Sequence, residues 1–428
     1  MPLTARLALV TLALSLWIPA DRAAAQGTAE CAPDSAGLTL PEGFCALVVA
    51  DGIGIARHLT VAGNGDVFVA LGMGRGGGEG GGVAVLRDTD GDGAADLVRR
   101  FAGGPGDDVE FFDGYLYYST NSSVVRFPWS EGAVEPGGEA ETIVRNLPAT
   151  RSHRAKSIAI GSDGALYVNV GSPSNACQAQ DRTAGAPGKE PCEELETRAG
   201  IWRFHSDRLR QRQADGVRFA TGLRNTVALA VRPQDGKLYG VVHGRDQLSQ
   251  NWPDLFTVEQ GAEKPAEEFV RIEEGDDYGW PYCYYDPELG LKVQAPEYSG
   301  DGRSRGTCTE MKDPLIGFPA HWAPDGLLFY AGEQFPARYR GGAFIAFHGS
   351  WNRAPLPQGG YNVVFAPFEG DEPTGEWEVF ADGFAGADKS PRGAAHRPVG
   401  VAVGPDGSLY VSDDSGGRIY RILYRGGS

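Results

Sequence analysis

Five basic or protonatable side chains stand at the ends of strand-like runs. His153 precedes the run Ser157–Ile160, Arg224-Asn225 precedes Val227–Val231, Arg57 precedes Leu59–Val61, Arg397 precedes Val399–Val403, and His348 follows Ala343–Phe347. If these runs are equivalent strands of a repeat, their ends converge on one axis, which then holds three Arg and two His. Such a cluster repels itself unless an anion sits within it, and Arg meets carboxylates with paired hydrogen bonds while staying charged. The chemistry that suits this funnel is capture of a polyanionic ligand. A second motif is Asp88-Thr-Asp-Gly-Asp-Gly-Ala-Ala-Asp96, with Asp88, Asp90, Asp92 and Asp96 at positions 1, 3, 5 and 9 of a calcium-type loop. Its twelfth residue is Arg99 rather than the bidentate Glu of an EF-hand, so the run reads either as a calcium loop or as an Asp-rich hairpin turn.

The elements that must position these groups follow from a repeat. A Gly-containing turn leads into an alternating β-branched or aromatic run at Gly65–Val69, Gly114–Tyr118, Gly164–Val168, Gly236–Gly240, Gly342–Ala346 and Gly407–Val411. Each is a hairpin signal, and the run before each turn is also strand-like. With 62 Gly and 28 Pro among 428 residues, long helices are unfavourable. Six meanders in a ring, an all-β six-bladed propeller, hides the edges that open sheets expose. Phe44–Val49 and Arg418–Tyr424 are the strands expected to meet and close it. Two β-sandwiches or an irregular barrel are the alternatives. Cys177–Glu196, Asp246–Asp277 and Asp286–Pro324 read as elaborated loops.

Arg6, the apolar run Leu7–Ile18 and the small residues Ala23-Ala24-Ala25 have the regions of a secretory leader, so residues 1–25 are expected to be removed and 26–428 to form a single domain. A periplasmic or secreted location follows, without stable membrane insertion. In an oxidising compartment the six cysteines favour disulfides, paired in sequence order as Cys31–Cys45, Cys177–Cys192 and Cys283–Cys308. The net charge of −17 disfavours nucleic acid and anionic lipid as partners.

The chain resembles the soluble quinoprotein sugar dehydrogenases of the glucose and sorbosone dehydrogenase type, closest to the sorbosone/pyranose dehydrogenase branch. The motifs that carry this are His153–Gly161, Gly222-Leu-Arg-Asn225, Gly244-Arg-Asp246, Tyr278-Gly-Trp-Pro281, Phe347–Arg353 and Arg397–Gly407, in that order along the chain. The resemblance implies a six-bladed propeller with pyrroloquinoline quinone (PQQ) in the axial cavity and a Ca²⁺ bridging it to the protein. It makes His153 the general base on the anomeric hydroxyl, places Arg224 and Asn225 beside the reactive carbonyl, and gives Ca²⁺ the backbone carbonyls of Gly244 and Arg245. Arg397, Arg57 and His348 become cofactor contacts. His348 stands where glucose-oxidising members place Lys, and Val399 where they place a second Arg; Lys156 and His243 also depart from the branch. These changes leave the sugar open.

The implied function is PQQ-dependent oxidation of an aldose or related sugar, at an anomeric hydroxyl or aldehyde, with electrons passed to an external acceptor, a cytochrome or a quinone, because no haem motif is present. A non-catalytic binding propeller and a metal-dependent lactonase are the alternatives. The lactonase would need several carboxylates on a central metal.

Overall fold

The computed structural model describes residues 29–73 and 80–426; the expected leader lies outside the described residues. Six sheets follow one another around the fold, each built on four antiparallel strands. Their innermost strands are Ala56–Val61, Gly106–Phe112, Ile158–Ile160, Ala228–Val231, Pro324–Phe329 and Pro398–Val403. Each inner strand packs against the next, and the last against the first, which makes the sheets blades of a closed ring. The second strand of every blade is the run that follows a repeat turn: Val67–Leu71, Tyr115–Thr120, Ala165–Val170, Leu238–Val242, Ala343–Phe347 and Leu409–Asp413. The turns work because glycine enters the left-handed region freely. Gly114 has φ 76°, while in the fifth blade Gly341, not Gly342, takes that conformation at φ 75°.

The ring closes as expected. Phe44–Ala50 pairs antiparallel with Ile419–Tyr424, so the sixth blade holds both ends of the ring. Aromatic side chains fill the space beside this closure, with Phe44 set edge-on to Phe335, Tyr339 and Phe380. All three disulfides pair in sequence order: Cys31–Cys45, Cys177–Cys192 and Cys283–Cys308.

Two of the expected loops contain strands. Glu267–Ile272 and Ile316–Phe318, placed within the runs 246–277 and 286–324, are the third and outer strands of the fourth blade. Long insertions hide them in the sequence by separating each from its partner. Within one insertion, Asp276–Asp277 pairs in parallel with Val217–Thr221, adding a fifth strand to the third blade. Among the described residues no helix is long and apolar enough to cross a membrane.

Candidate active site

The first residues of the inner strands, and the turns leading into them, open on one end of the axis. There they line a cavity of about 430 Å³. Arg57, His153, Arg224, Asn225 and Gly244 all border it, so strand ends spread over nearly 190 residues are brought together. Further along the same strands, His58, Asp108, Glu110 and Leu327 border a second cavity of about 360 Å³. Between them His58 places Nδ1 2.9 Å from Asp108 and Nε2 2.7 Å from the Asp325 carbonyl. Both partners are acceptors, so the ring carries two protons. Burial alone would lower its pKa, but Asp108 outweighs that and raises it.

His153 is held in an unusual state. Its backbone is left-handed, φ 47°, a conformation non-glycine residues seldom adopt without compensation. Its Nδ1 lies 2.8 Å from the Ser172 carbonyl and 3.1 Å from Ser172 Oγ, which itself donates to the Ser174 carbonyl. A carbonyl can only accept, so Nδ1 carries the proton and Nε2 keeps a lone pair. Burial, then the nearby Arg224 charge, holds the imidazole pKa well below its ordinary value. A neutral His with a fixed tautomer is suited to accept a proton. Gly171 makes room for it: a Cβ there would fall 2.6 Å from His153 Cβ and 2.8 Å from Asn225 Oδ1.

Arg224, 4% exposed, donates to the Asn175 and Gly244 carbonyls and, at 3.1 Å, to Asp246. Asn225 Oδ1 accepts from Asn169 Nδ2 at 3.2 Å, which leaves the Asn225 amide as a donor. Arg57 lies 3.3 Å from Asp325 and 2.9 Å from Asp414. Burial pushes the Asp325 carboxyl up, but Arg57, His243 and His348 hold it far below the usual range. His348 and Arg397 stand one layer behind this wall. His348 contacts Asp414 at 2.8 Å, and Arg397 donates to the His348 and Gly349 carbonyls at 3.0 and 2.8 Å. The Arg245 side chain turns away to pair with the buried Glu297.

Several residues at the cavity were given no role by sequence reasoning. Asp246 accepts from Arg182 and Arg224, and Asn352 donates to it at 2.9 Å. Glu267, 2% exposed, receives the Gly244 and Ala323 amides at 2.7 and 3.1 Å. Asp107 and Asp325 occupy the same strand-end position as Arg57, and that equivalence was the signal that could have found them. His243 Nε2 lies 3.2 Å from Asp325. The carboxylates a lactonase would need are thus at the axis, but Asp246, Glu267 and Asp325 are engaged by arginines, a histidine and backbone amides. The groups of three ligating side chains found among the described residues lie elsewhere. One is Asp88, Asp90 and Asp96; Asp92 instead accepts from the Ala94 amide at 2.8 Å.

A family profile described as TrAA12-like matches residues 38–425. The chain belongs to this family. TrAA12-like membership puts it among the PQQ-dependent sugar dehydrogenases, as the motifs implied. A pyrroloquinoline quinone-dependent sugar dehydrogenase of Hypocrea jecorina is 24% identical over 328 residues, 72% of this chain and 71% of that protein. An uncharacterized protein of Borreliella burgdorferi is 32% identical over 209 residues, 48% of each, so the chain spans about half the length of that relative. The calcium structure of a Trichoderma reesei family AA12 enzyme superposes with a TM-score of 0.72 at 20% identity, covering 91% of this chain and 97% of that one. That likeness establishes the propeller.

The donor set of this TrAA12-like site fits the family's cofactor. Arg57, Arg154, Arg182 and Arg224 border the cavity together with Asp107, Asp246, Glu267 and Asp325. Cations and carboxylates balance, so a tricarboxylate such as PQQ adds charge that a divalent cation must offset. The Gly244 carbonyl, which accepts one hydrogen bond from Arg224 and has a second lone pair, is the oxygen chemistry that Ca²⁺ accepts.

Proposed function

We propose that the chain oxidises an aldose or related sugar with PQQ and Ca²⁺ bound in the axial cavity, passing electrons to an external cytochrome or quinone. The observation that carries this reading is the neutral His153, its Nδ1 proton committed to Ser172 and its Nε2 lone pair free within a cavity lined by Arg57 and Arg224. PQQ, when bound, supplies the two-electron acceptor. His153 Nε2 takes the proton from the sugar hydroxyl as the carbon–hydrogen bond breaks. Arg224 and the Asn225 amide would hold the cofactor oxygens, a fixed charge and a fixed donor of the kind that stabilises negative charge. Arg57, backed by Asp414, His348 and Arg397, would supply the cofactor carboxylates with a charged wall, and the backbone carbonyls of Gly244 and Arg245 would provide oxygens for Ca²⁺. The test is an absorbance titration with PQQ in the presence of Ca²⁺, followed by dye reduction on a panel of aldoses. Saturable uptake and sugar-dependent reduction are expected, and His153→Gln should keep the uptake and lose about 10²-fold or more in turnover. A protein that ignores PQQ with Ca²⁺ present is a binding module instead.

A further inference from the structure

The loop after the second strand of the fifth blade, Ala343–Phe347, carries Trp351, which is 53% exposed and borders the cavity. It is the only exposed tryptophan among the described residues, and its ring pairs with no other aromatic among them. An exposed indole at a cavity mouth offers a flat apolar face that a ligand can cover.

The loop that presents this ring is bolted down on both sides. Ser350 is fully buried; its amide donates to the Gly359 carbonyl at 2.9 Å, its Oγ donates to Gln358 at 2.6 Å, and its carbonyl accepts from Tyr361 at 2.7 Å. On the other side Asn352 donates to Asp246, and Arg353 donates to the Ala262 and Ala320 carbonyls at 3.0 and 2.9 Å. Asp246 is itself clamped by Arg182 and Arg224. Trp351 is therefore a free ring on a fixed stalk, tied through its neighbour to the residue between the Arg224 wall and the oxygens offered to Ca²⁺. A mobile surface tryptophan would not be held this way.

We infer that Trp351 is a specificity-determining platform that receives the apolar C–H face of a cyclic pyranose at the mouth of the cavity. This rests on the sugar-oxidising reading and narrows it. A pyranose ring has a continuous C–H face to lay against an indole, whereas a short open-chain aldehyde has none, so the substrate is the ring form carrying an anomeric hydroxyl.

The experiment compares wild type, Trp351→Ala and Trp351→Phe, loaded with PQQ and Ca²⁺, on several aldopyranoses and on glyceraldehyde. Trp351→Ala should raise KM about 10-fold for pyranoses with kcat changed less than about 3-fold, leave the KM for glyceraldehyde within about 2-fold, and be largely rescued by Trp351→Phe. PQQ affinity should not move. Equal KM changes for both substrate classes, or none, overturn the platform. Saturation-transfer NMR with methyl glucopyranosides gives a second readout, on the loaded protein or, if it takes up no PQQ, on the protein alone. Contact that disappears in Trp351→Ala supports the platform even where the dehydrogenase reading fails, and wild-type protein without contact overturns it.

Discussion

Replacing Gly171 by Ala perturbs the base without removing any charged or hydrogen-bonding side chain. Gly171 is not among the left-handed glycines, so its backbone accepts alanine and the effect comes from contact alone. The added Cβ would lie 2.6 Å from His153 Cβ, 2.8 Å from Asn225 Oδ1 and 2.9 Å from the His153 carbonyl oxygen. Carbon atoms settle at about 3.5–4.0 Å, so His153 has to retreat by about 1 Å, and two of the three contacts fall on or next to its backbone, where no flexible side-chain end can swing aside. Its 2.8 Å bond to the Ser172 carbonyl would then stretch beyond hydrogen-bonding range, releasing the tautomer that leaves Nε2 basic. A displacement of about 1 Å at a catalytic group costs about 10²-fold, and overpacking costs about 1–3 kcal/mol of stability. The assay is dye-linked sugar oxidation by Gly171→Ala loaded with PQQ and Ca²⁺, with a thermal melt beside it. A loss of about 10² in kcat/KM with a small fall in Tm is expected. Wild-type turnover in a folded variant would show that the position of His153 does not govern the chemistry.

Arg397→Ala, which removes donors to the His348 and Gly349 carbonyls behind the Arg57 wall, should weaken PQQ binding about 10-fold or more in an absorbance titration; unchanged affinity would take Arg397 out of the cage. Because burial and the Arg224 charge hold the pKa of His153 well below 6.5, kcat/KM for sugar should stay level as pH falls through 6.5 and decline only well below that; a limb centred at 6.5 or above would contradict its neutral state. The same shift means that at His153 the unfolded chain binds the extra proton first, so the His153 contribution to stability falls as pH drops below about 6.5, and the denaturant-measured difference between wild type and His153→Gln should shift against wild type there; the raised His58 and His243 act with the opposite sign in both proteins. A further loss is expected as pH falls through the range in which Asp414, held at about 2 by His348 and Arg57 against its burial, takes up its proton. Replacing both Cys177 and Cys192 by Ser opens a loop of 15 residues and should cost about 3 kcal/mol, a Tm drop of about 4 °C for a chain of this size; an unchanged melt would mean that the insertion is rigid without its bridge.

The architecture was legible because each blade repeats one local signal, a glycine turn between two alternating runs, and local signals survive in sequence. The outer strands were less so: Glu267–Ile272 and Ile316–Phe318 pair across insertions, where nothing nearby in the sequence announces the partner. The site follows the same division. His153, Arg224, Asn225, Arg57 and Gly244 could be named because strand ends converge in a ring and because their motifs match a family. Asp246 stood inside a quoted motif, yet only its neighbours' carbonyls were assigned a role, since a carboxylate's partners, here Arg182 and Arg224, depend on which loops fold back. Arg397 and His348 show the limit of the convergence argument: being at a strand end brings a residue to the axis, but depth along it decides whether it faces the cavity or braces the wall.

The pairing of Phe44–Ala50 with Ile419–Tyr424 also sets when the protein can act. The cavity takes residues from inner strands or their lead-in turns in the first five blades, and the sixth backs its wall through Arg397 and Asp414. Those positions are set by inner strands that each pack on the next, with the last packed on the first. Loop closure over nearly the whole chain is slow and comes late, because the entropy of bringing distant segments together is lost before their contacts form. A ribosome pausing before the last strand, or a protease clipping it, therefore yields blades without a binding centre. Assembly of the cavity in this fold therefore waits on the C-terminal strand, the last segment of the described chain to be made.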